Sequence, residues 1–187
     1  MNIDNPTHNL QRLTELHERA ITKNDESNSL VFSIHTHVLS EEEAWERIMF
    51  YAEAIEANEL ELAKTFETIY NTSFSRFHDE WGENILFCAG YWQKKKYRQK
   101  RKFAYCKKYP NGVVTLYKSA SKDDFMKIIK SNLEERDPHR DIVFTDSNVC
   151  VVFGYDLTII VYYEGDEMLR VNKIKDVLLS GGFHLIG

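Results

Sequence analysis

The sequence predicts an α+β fold, with a helical N-terminal half packed on an antiparallel β-meander and a single layer of sheet carrying helices on one face. Apolar residues recur three or four positions apart over residues 10–20 and 44–70, which is the period of an amphipathic helix. After residue 84, short runs rich in β-formers alternate with turn residues, as in antiparallel sheets. The 187 residues are 43% apolar and 13% aromatic, enough to bury one continuous core. We therefore expect a single domain over residues 1–187.

The first half divides into an N-terminal helix and loop over residues 1–28 and a strand with acidic helices over residues 29–83. Leu10, Leu13, Leu16 and Ala20 form the stripe of the first helix, and the strand is expected over residues 30–38. Ser40 and Glu43 have the spacing of a capping box that opens the next helix. That helix is expected to continue to about residue 71, either unbroken or kinked near residue 58.

The second half, residues 84–187, is expected to form the antiparallel sheet with two helices. The predicted strands cover residues 85–92, 101–109, 113–117, 142–145, 149–154 and 157–163. The turn Pro110-Asn111-Gly112 joins the second and third of these. Ser121 is the predicted N-cap of a helix, and a last helix over residues 171–179 should end at Gly181-Gly182.

Charge is divided unevenly along the chain, although the formal net charge is only −5. Residues 41–83 hold twelve acids and three bases, and residues 94–108 hold nine bases and no acid. An acidic helix can steer a basic protein partner toward itself, and exposed aromatic residues would anchor the contact. The candidate partner-binding residues are Glu42, Trp45, Glu46, Tyr51, Glu53, Glu56, Glu59 and Tyr70. The simpler alternative is the solvated face of an amphipathic helix.

The basic segment, residues 91–109, interleaves cations with aromatic residues. Lysine and arginine side chains can follow phosphates while aromatic rings stack on bases. The candidate nucleic-acid-binding residues are Trp92, Lys94, Lys95, Lys96, Tyr97, Arg98, Lys100, Arg101 and Lys102. The simpler alternative is a lysine-rich sheet edge that discourages aggregation. Since the chain is mildly acidic overall, nucleic acid is not the expected partner.

Groups that could carry out catalysis are few. His35 and His37 are two apart on a predicted strand, so both imidazoles would point to one face and could serve a metal-dependent enzyme. A third and a fourth ligand would have to come from elsewhere, and His78, Asp79 and Glu80 are candidates only by composition. We expect no metal and no cofactor. The sequence contains no motif of a zinc site, a serine hydrolase or a phosphate-binding loop. A thiol or hydroxyl nucleophile would need a histidine beside it, and no spacing indicates which. An enzyme is therefore not expected.

The cellular compartment is indicated by the cysteines and by the hydropathy of the chain. The 3 cysteines are scattered and odd in number, which favours a reducing compartment. The first residues lack the basic and apolar regions of a signal peptide, and the apolar run over residues 157–163 is too short to cross a bilayer. We expect a cytoplasmic protein with no membrane partner.

Two resemblances bear on function. The chain resembles a bacterial family known as domain of unknown function 3885 in two parts: residues 29–37 with 44–70, and residues 142–163 with 174–179. The resemblance assigns no functional residue to this chain, because no family motif of known chemistry is matched. The chain as a whole resembles the immunity proteins of bacterial toxin–immunity pairs, including the contact-dependent growth inhibition type, because it is small, acidic, aromatic-rich and without catalytic motifs. That resemblance implies a protein that binds a cognate toxin, such as a nuclease with a basic cleft, and occludes its active or substrate-binding site.

Overall fold

The computed structural model describes residues 6–22, 28–37, 40, 43, 51–89, 103–109, 112–134, 140–154 and 157–187, and for residues 6–8, 103–109 and 112–114 it describes the backbone alone. The helices are α1 (Pro6–Thr22), α2 (Tyr51–Glu56), α3 (Leu60–Trp81), α4 (Lys122–Leu133) and α5 (Met168–Gly181). The strands are β1 (Ser29–Ser33), β2 (Ile85–Ala89), β3 (Phe103–Tyr109), β4 (Gly112–Tyr117), β5 (Arg140–Phe144), β6 (Val149–Phe153), β7 (Ile159–Tyr163) and β8 (His184–Leu185).

The strands form an eight-stranded sheet in the order β3-β4-β2-β5-β6-β7-β1-β8. Every described pair of neighbours is antiparallel. The hairpin β3–β4 and the meander β5-β6-β7 follow chain order, because short turns join neighbouring antiparallel strands. The predicted α+β class with an antiparallel sheet is confirmed.

Both faces of this sheet carry helices. On the first face, α2, α3, α4 and α5 bury an aromatic layer against strand residues that include Ile85, Phe87 and Ala89. On the second face, α1 packs against the alternate residues Leu86 and Cys88, together with apolar residues of β4 to β7. The prediction that helices lie on one face is therefore wrong for α1. α1 packs on the second face because the central strands are apolar on both faces, and each face must be shielded from water.

The predicted helix caps are confirmed, whereas the ends of several helices and strands differ from the predicted ends by a few residues. The capping box at Ser40 forms, because Glu43 N donates to Ser40 Oγ at 3.2 Å and Ser40 N donates to Glu43 Oε2 at 3.0 Å. Asp124 N donates to the Ser121 side chain, the predicted cap of α4. The last helix ends at Gly181 and is capped by Gly182, which has the left-handed φ of 109°. The predicted helix end near residue 71 is wrong, because buried aromatic residues continue the stripe of α3 to Trp81.

Candidate functional site

The corner between α2 and α3 holds most of the described candidate partner-binding residues. Asn58 has a φ of 59°, a left-handed conformation that asparagine tolerates better than most residues. Asn58 N donates to Ile55 O at 3.1 Å and Glu59 N donates to Ala54 O at 2.8 Å. These bonds satisfy the backbone where the chain changes direction. The kink predicted near residue 58 is therefore a defined corner between two helices.

The acidic corner, defined here as residues 53–61, exposes apolar side chains among carboxylates. Ile55 is 46% exposed and Leu60 is 51% exposed. Glu53, Glu56, Glu59 and Glu61 are exposed around them. Within the described residues, Glu61 pairs with Lys64 at 2.7 Å, while no cation pairs with Glu56 or Glu59. The corner is thus a negatively charged surface with an apolar centre.

The structure sorts the eight predicted partner-binding residues into four groups. Glu53, Glu56 and Glu59 are exposed, as the prediction requires. Tyr51 is half-buried, and its hydroxyl donates to Glu67 Oε1 at 2.6 Å, which lowers the pKa of Glu67. The prediction that Tyr70 anchors a partner is wrong, because this residue is only 2% exposed. The remaining predictions lie outside the described residues: Glu42, Trp45 and Glu46.

Tyr70 is buried because it belongs to the aromatic layer of the first face. Its ring centroid lies 5.6 Å from that of Phe74 and 5.4 Å from that of Phe183. Both distances fall within the range of favourable aromatic pairs. Tyr70 is therefore a core residue and cannot reach a partner.

Three other described acids of residues 41–83 pair within the fold, through lysines in or next to α4. Glu67 pairs with Lys130, Asp79 with Lys122 at 2.6 Å and Glu83 with Lys118. Their bonds to Lys122 and Lys118 lower the pKa values of Asp79 and Glu83. These lysines do not belong to the basic segment, whose side chains lie outside the described residues. Whether the acidic and basic tracts neutralise each other stays a prediction to be tested.

The basic segment is described only through the backbone of β3, which is an edge strand of the sheet. An edge strand rich in lysine is the arrangement that discourages strand-to-strand aggregation. The candidate nucleic-acid-binding residues themselves lie outside the described residues: Trp92, Lys94, Lys95, Lys96, Tyr97, Arg98, Lys100, Arg101 and Lys102.

The two histidines proposed for a metal enzyme do not lie on a strand. β1 ends at Ser33, and His35 and His37 follow in bends, because the chain turns there toward the capping box. His37 Nε2 contacts Glu43 Oε1 at 3.0 Å, and the imidazole of His35 meets the ring of Phe66 edge-on. Among the described residues, no group of three or more His, Cys, Asp or Glu side chains could hold a metal ion.

A second candidate site lies under α1, on the second face of the sheet. His17 is 3% exposed and Asp141 is 7% exposed, and His17 Nε2 lies 2.6 Å from Asp141 Oδ2. Asp141 is the direct cross-strand partner of Cys88, so the two side chains are neighbours on one face. The structure thus brings a thiol, an imidazole and a carboxylate together from α1, β2 and β5.

Electrostatics couples these groups. Burial alone would lower the pKa of His17, but the charges of Cys88 and Asp141 and hydrogen bonding to both raise it well above its ordinary value. Cys150 lies in the same layer, and burial is the main cause that raises the pKa of its thiol. The buried imidazole of His17 therefore favours its protonated form in the fold.

Sequence reasoning missed this site, although each residue carried a signal. His17 lies on the apolar stripe of α1, four residues after Leu13 and three before Ala20. Asp141 follows Arg140 at the start of a fully buried strand whose other three residues are apolar. A charge in a buried strand needs a partner, and a histidine on a buried helix face is a suitable one. The sequence does not show that His17 and Asp141 are partners, because this depends on which face of the sheet α1 covers.

Comparison of the chain with known proteins assigns it to no family. Searches against family models, curated proteins and solved structures find no significant match to the chain. The two resemblances drawn from the sequence thus stay predictions. Among the described residues, no helix combines the length and hydrophobicity required to span a bilayer.

Proposed function

We propose that this chain is an immunity protein that binds a cognate bacterial toxin through the acidic corner and blocks its active or substrate-binding site. The observation that carries the proposal is the exposure of Ile55 and Leu60 beside Glu56 and Glu59, which have no cation partner among the described residues. A nuclease is a suitable target, because a cleft that binds a polyanion is lined with cations.

Each part of the corner has a role in binding. The carboxylates of Glu56 and Glu59 attract a basic surface and accelerate its approach. Ile55 and Leu60 supply apolar area that is removed from water on contact, worth about 25 cal/mol per Å². Contacts of this type, an apolar centre with a charged rim, carry most of the affinity in protein interfaces.

The backbone of the corner favours tight binding as well. The hydrogen bonds from Asn58 N and Glu59 N fix the turn before any partner arrives. A surface that is already ordered loses less conformational entropy on binding than a flexible loop does. A rigid projection between two helices is therefore suited to fill a concave active site.

The proposal is tested by capture followed by a growth assay. The full chain is immobilised and exposed to lysate of the organism that encodes it. We expect one basic protein to be retained in near-stoichiometric amount and to arrest bacterial growth when expressed alone. Co-expression of the full chain should restore growth.

The variants locate the contact. Glu56→Lys with Glu59→Lys should abolish both capture and rescue, because two attractive charges become repulsive. Glu80→Lys is the matched control, since Glu80 is exposed at the other end of α3, roughly 30 Å from the corner at 1.5 Å per helical residue. The proposal fails if the captured protein does not arrest growth, or if the double variant rescues as well as Glu80→Lys does.

A further inference from the structure

The acidic corner is the vertex of a helical hairpin formed by α2 and α3. Glu53 and Glu56 lie on α2, whereas Leu60 and Glu61 lie on α3. The relative positions of these side chains therefore depend on the angle between the two helices. The backbone hydrogen bonds of the turn close the vertex, but bonds at a vertex restrain the angle between its two arms only weakly.

Few side chains of α2 pack against the rest of the molecule. Of its six residues, Glu53, Ile55 and Glu56 are exposed, and Ala54 is fully buried. Tyr51 is the one large side chain of α2 that packs against the core of the first face. The placement of α2 on α3 therefore depends strongly on Tyr51.

A hydrogen bond joins the two helices at a distance from the vertex. Tyr51 Oη donates to Glu67 Oε1 at 2.6 Å, and the two residues are 16 positions apart with the turn between them. At about 1.5 Å per helical residue, each lies roughly 10 Å from the turn. A small change of the interhelical angle would separate the two atoms, so this bond resists the change.

Glu67 is held in place from a third helix, α4. Lys130 Nζ donates to the same oxygen, Glu67 Oε1, at 3.3 Å. The hydrogen bond from Tyr51 is the main cause that lowers the pKa of Glu67, and Lys130 lowers it further. The acceptor is therefore a carboxylate at neutral pH, and hydrogen bonds to a charged acceptor are stronger than neutral ones. Three helices are linked through one oxygen atom.

We propose that Tyr51 and Glu67 are positioning residues for the acidic corner. Their hydrogen bond fixes the angle between α2 and α3 and holds the corner in the form that binds the partner. The binding role rests on the proposed function, whereas the effect of the bond on the corner can be measured without a partner.

The consequence for binding is a smaller loss of conformational entropy. If α2 moved relative to α3, the carboxylates of Glu53 and Glu56 would sample many positions relative to Leu60. Ordering them in a complex would then weaken the affinity. Tyr51 prevents this from its half-buried position and needs no contact with the partner, so its role differs from that of the anchor that the sequence suggested.

The first test measures hydrogen exchange of the free, full chain. The amides of Ala57, Asn58 and Glu59 report on the corner, because each donates to a carbonyl oxygen of α2. Tyr51→Phe removes the hydroxyl and keeps the ring, and it should accelerate exchange of these amides about tenfold. Tyr163→Phe is the matched control, since Tyr163 is another half-buried tyrosine packed on the core of the first face, and it should leave these amides unchanged.

A double-mutant cycle separates this bond from a general loss of stability. Glu67→Ala should accelerate the same amides about as much as Tyr51→Phe does, and the double variant should be no faster, because both changes remove one interaction. Glu67→Gln keeps an acceptor oxygen and should restore most of the protection. Amides in the centre of α3 should keep their natural rates. Unchanged exchange in Tyr51→Phe, or accelerations that multiply in the double variant, would overturn the proposal.

The second test measures affinity for the captured partner. Tyr51→Phe should weaken binding about tenfold. The dependence of affinity on salt should stay the same, because the variant keeps every charge of the corner. Adding Glu67→Ala to Tyr51→Phe should weaken binding little further. A Tyr51→Phe chain that binds as tightly as the natural chain contradicts the positioning role, even where its exchange is faster.

The positioning role and the proposed function fail on different results. If Glu56→Lys with Glu59→Lys abolishes binding while Tyr51→Phe leaves the affinity unchanged, the corner remains the binding surface and the positioning role is wrong. If the charge reversal leaves binding intact, or if no partner is captured, the proposed function is wrong. The binding role of Tyr51 and Glu67 then falls with it, whatever the exchange rates are.

Discussion

The two faces of the sheet are covered by layers of different chemistry. The first face is buried under four helices and is aromatic, with Phe74 in contact with rings from α3, β6 and the chain after α5. The second face is covered by α1 alone among the described elements and holds a histidine, an aspartate and two cysteines. The first layer is built of packed rings, whereas the second buries an ionisable pair, His17 and Asp141, so the stability of the second layer should depend on pH.

The largest effect should come from truncation within the aromatic layer. Phe74→Ala removes a fully buried ring and should lower the free energy of unfolding by about 4 kcal/mol. Leu13→Ala, its counterpart under α1, should cost about 3 kcal/mol. Urea denaturation measures both variants. An equal or larger loss for Leu13→Ala would contradict the larger contribution expected of the aromatic layer.

The second face should make stability depend on pH. The folded-state pKa of His17 lies above its unfolded value of about 6.5. Its contribution is therefore complete below pH 6.5 and is lost as the pH rises through the folded-state pKa. His17→Gln should cost about 3 kcal/mol at pH 6, and the difference from the natural chain should shrink at alkaline pH. Urea denaturation across this pH range measures it, and a pH-independent difference would show that His17 is not charged in the fold.

Substitution of Gly181 tests how closely α3 and α5 pack on the first face. A Cβ on Gly181 would lie 1.8 Å from Ser73 Oγ and 3.0 Å from Ser73 Cα, so α3 and α5 would be pushed apart. Gly181→Ala should cost about 2 kcal/mol. Gly165→Ala is the control, because its φ of 76° imposes strain while no atom lies within 4 Å, and it should cost about 1 kcal/mol. Thermal unfolding compares the two variants, and equal losses would mean that packing at Gly181 is not tight.

The smallest effect is expected at the edge of the second face. Arg19 and Glu164 are each about one third exposed, so solvent screens their attraction. Arg19→Gln should lower the free energy of unfolding by less than about 1 kcal/mol. Hydrogen exchange of α1 amides should nevertheless accelerate, because local opening needs less energy than global unfolding. Unchanged exchange in α1 would show that this pair does not hold the helix down.

The sequence predicted those features that are set by local chemistry. The capping box at Ser40, the cap at Ser121, the turn near residue 58 and the stop at Gly182 each depend on residues a few positions apart. The antiparallel sheet followed from alternating strands and turns. Element ends, such as the extension of α3 to Trp81, depended on packing and were misplaced.

Features set by distant residues could not be predicted in the same way. The placement of α1 on the second face depends on strand order, which pairs β2 with both β4 and β5. β2 is an apolar run buried along its whole length, and such a run indicates a strand covered on both sides. The position of Tyr70 in the helical period does not distinguish an exposed anchor from a core residue. Its burial follows from packing against a distant residue, Phe183.

The acidic corner is tested most directly by hydrogen exchange of the full chain with and without its captured partner. We expect slower exchange over residues 51–64 in the complex, with the Glu56→Lys and Glu59→Lys double variant showing no change. Protection confined to the basic segment, or to the face that carries α1, would contradict the proposal that the corner is the binding surface.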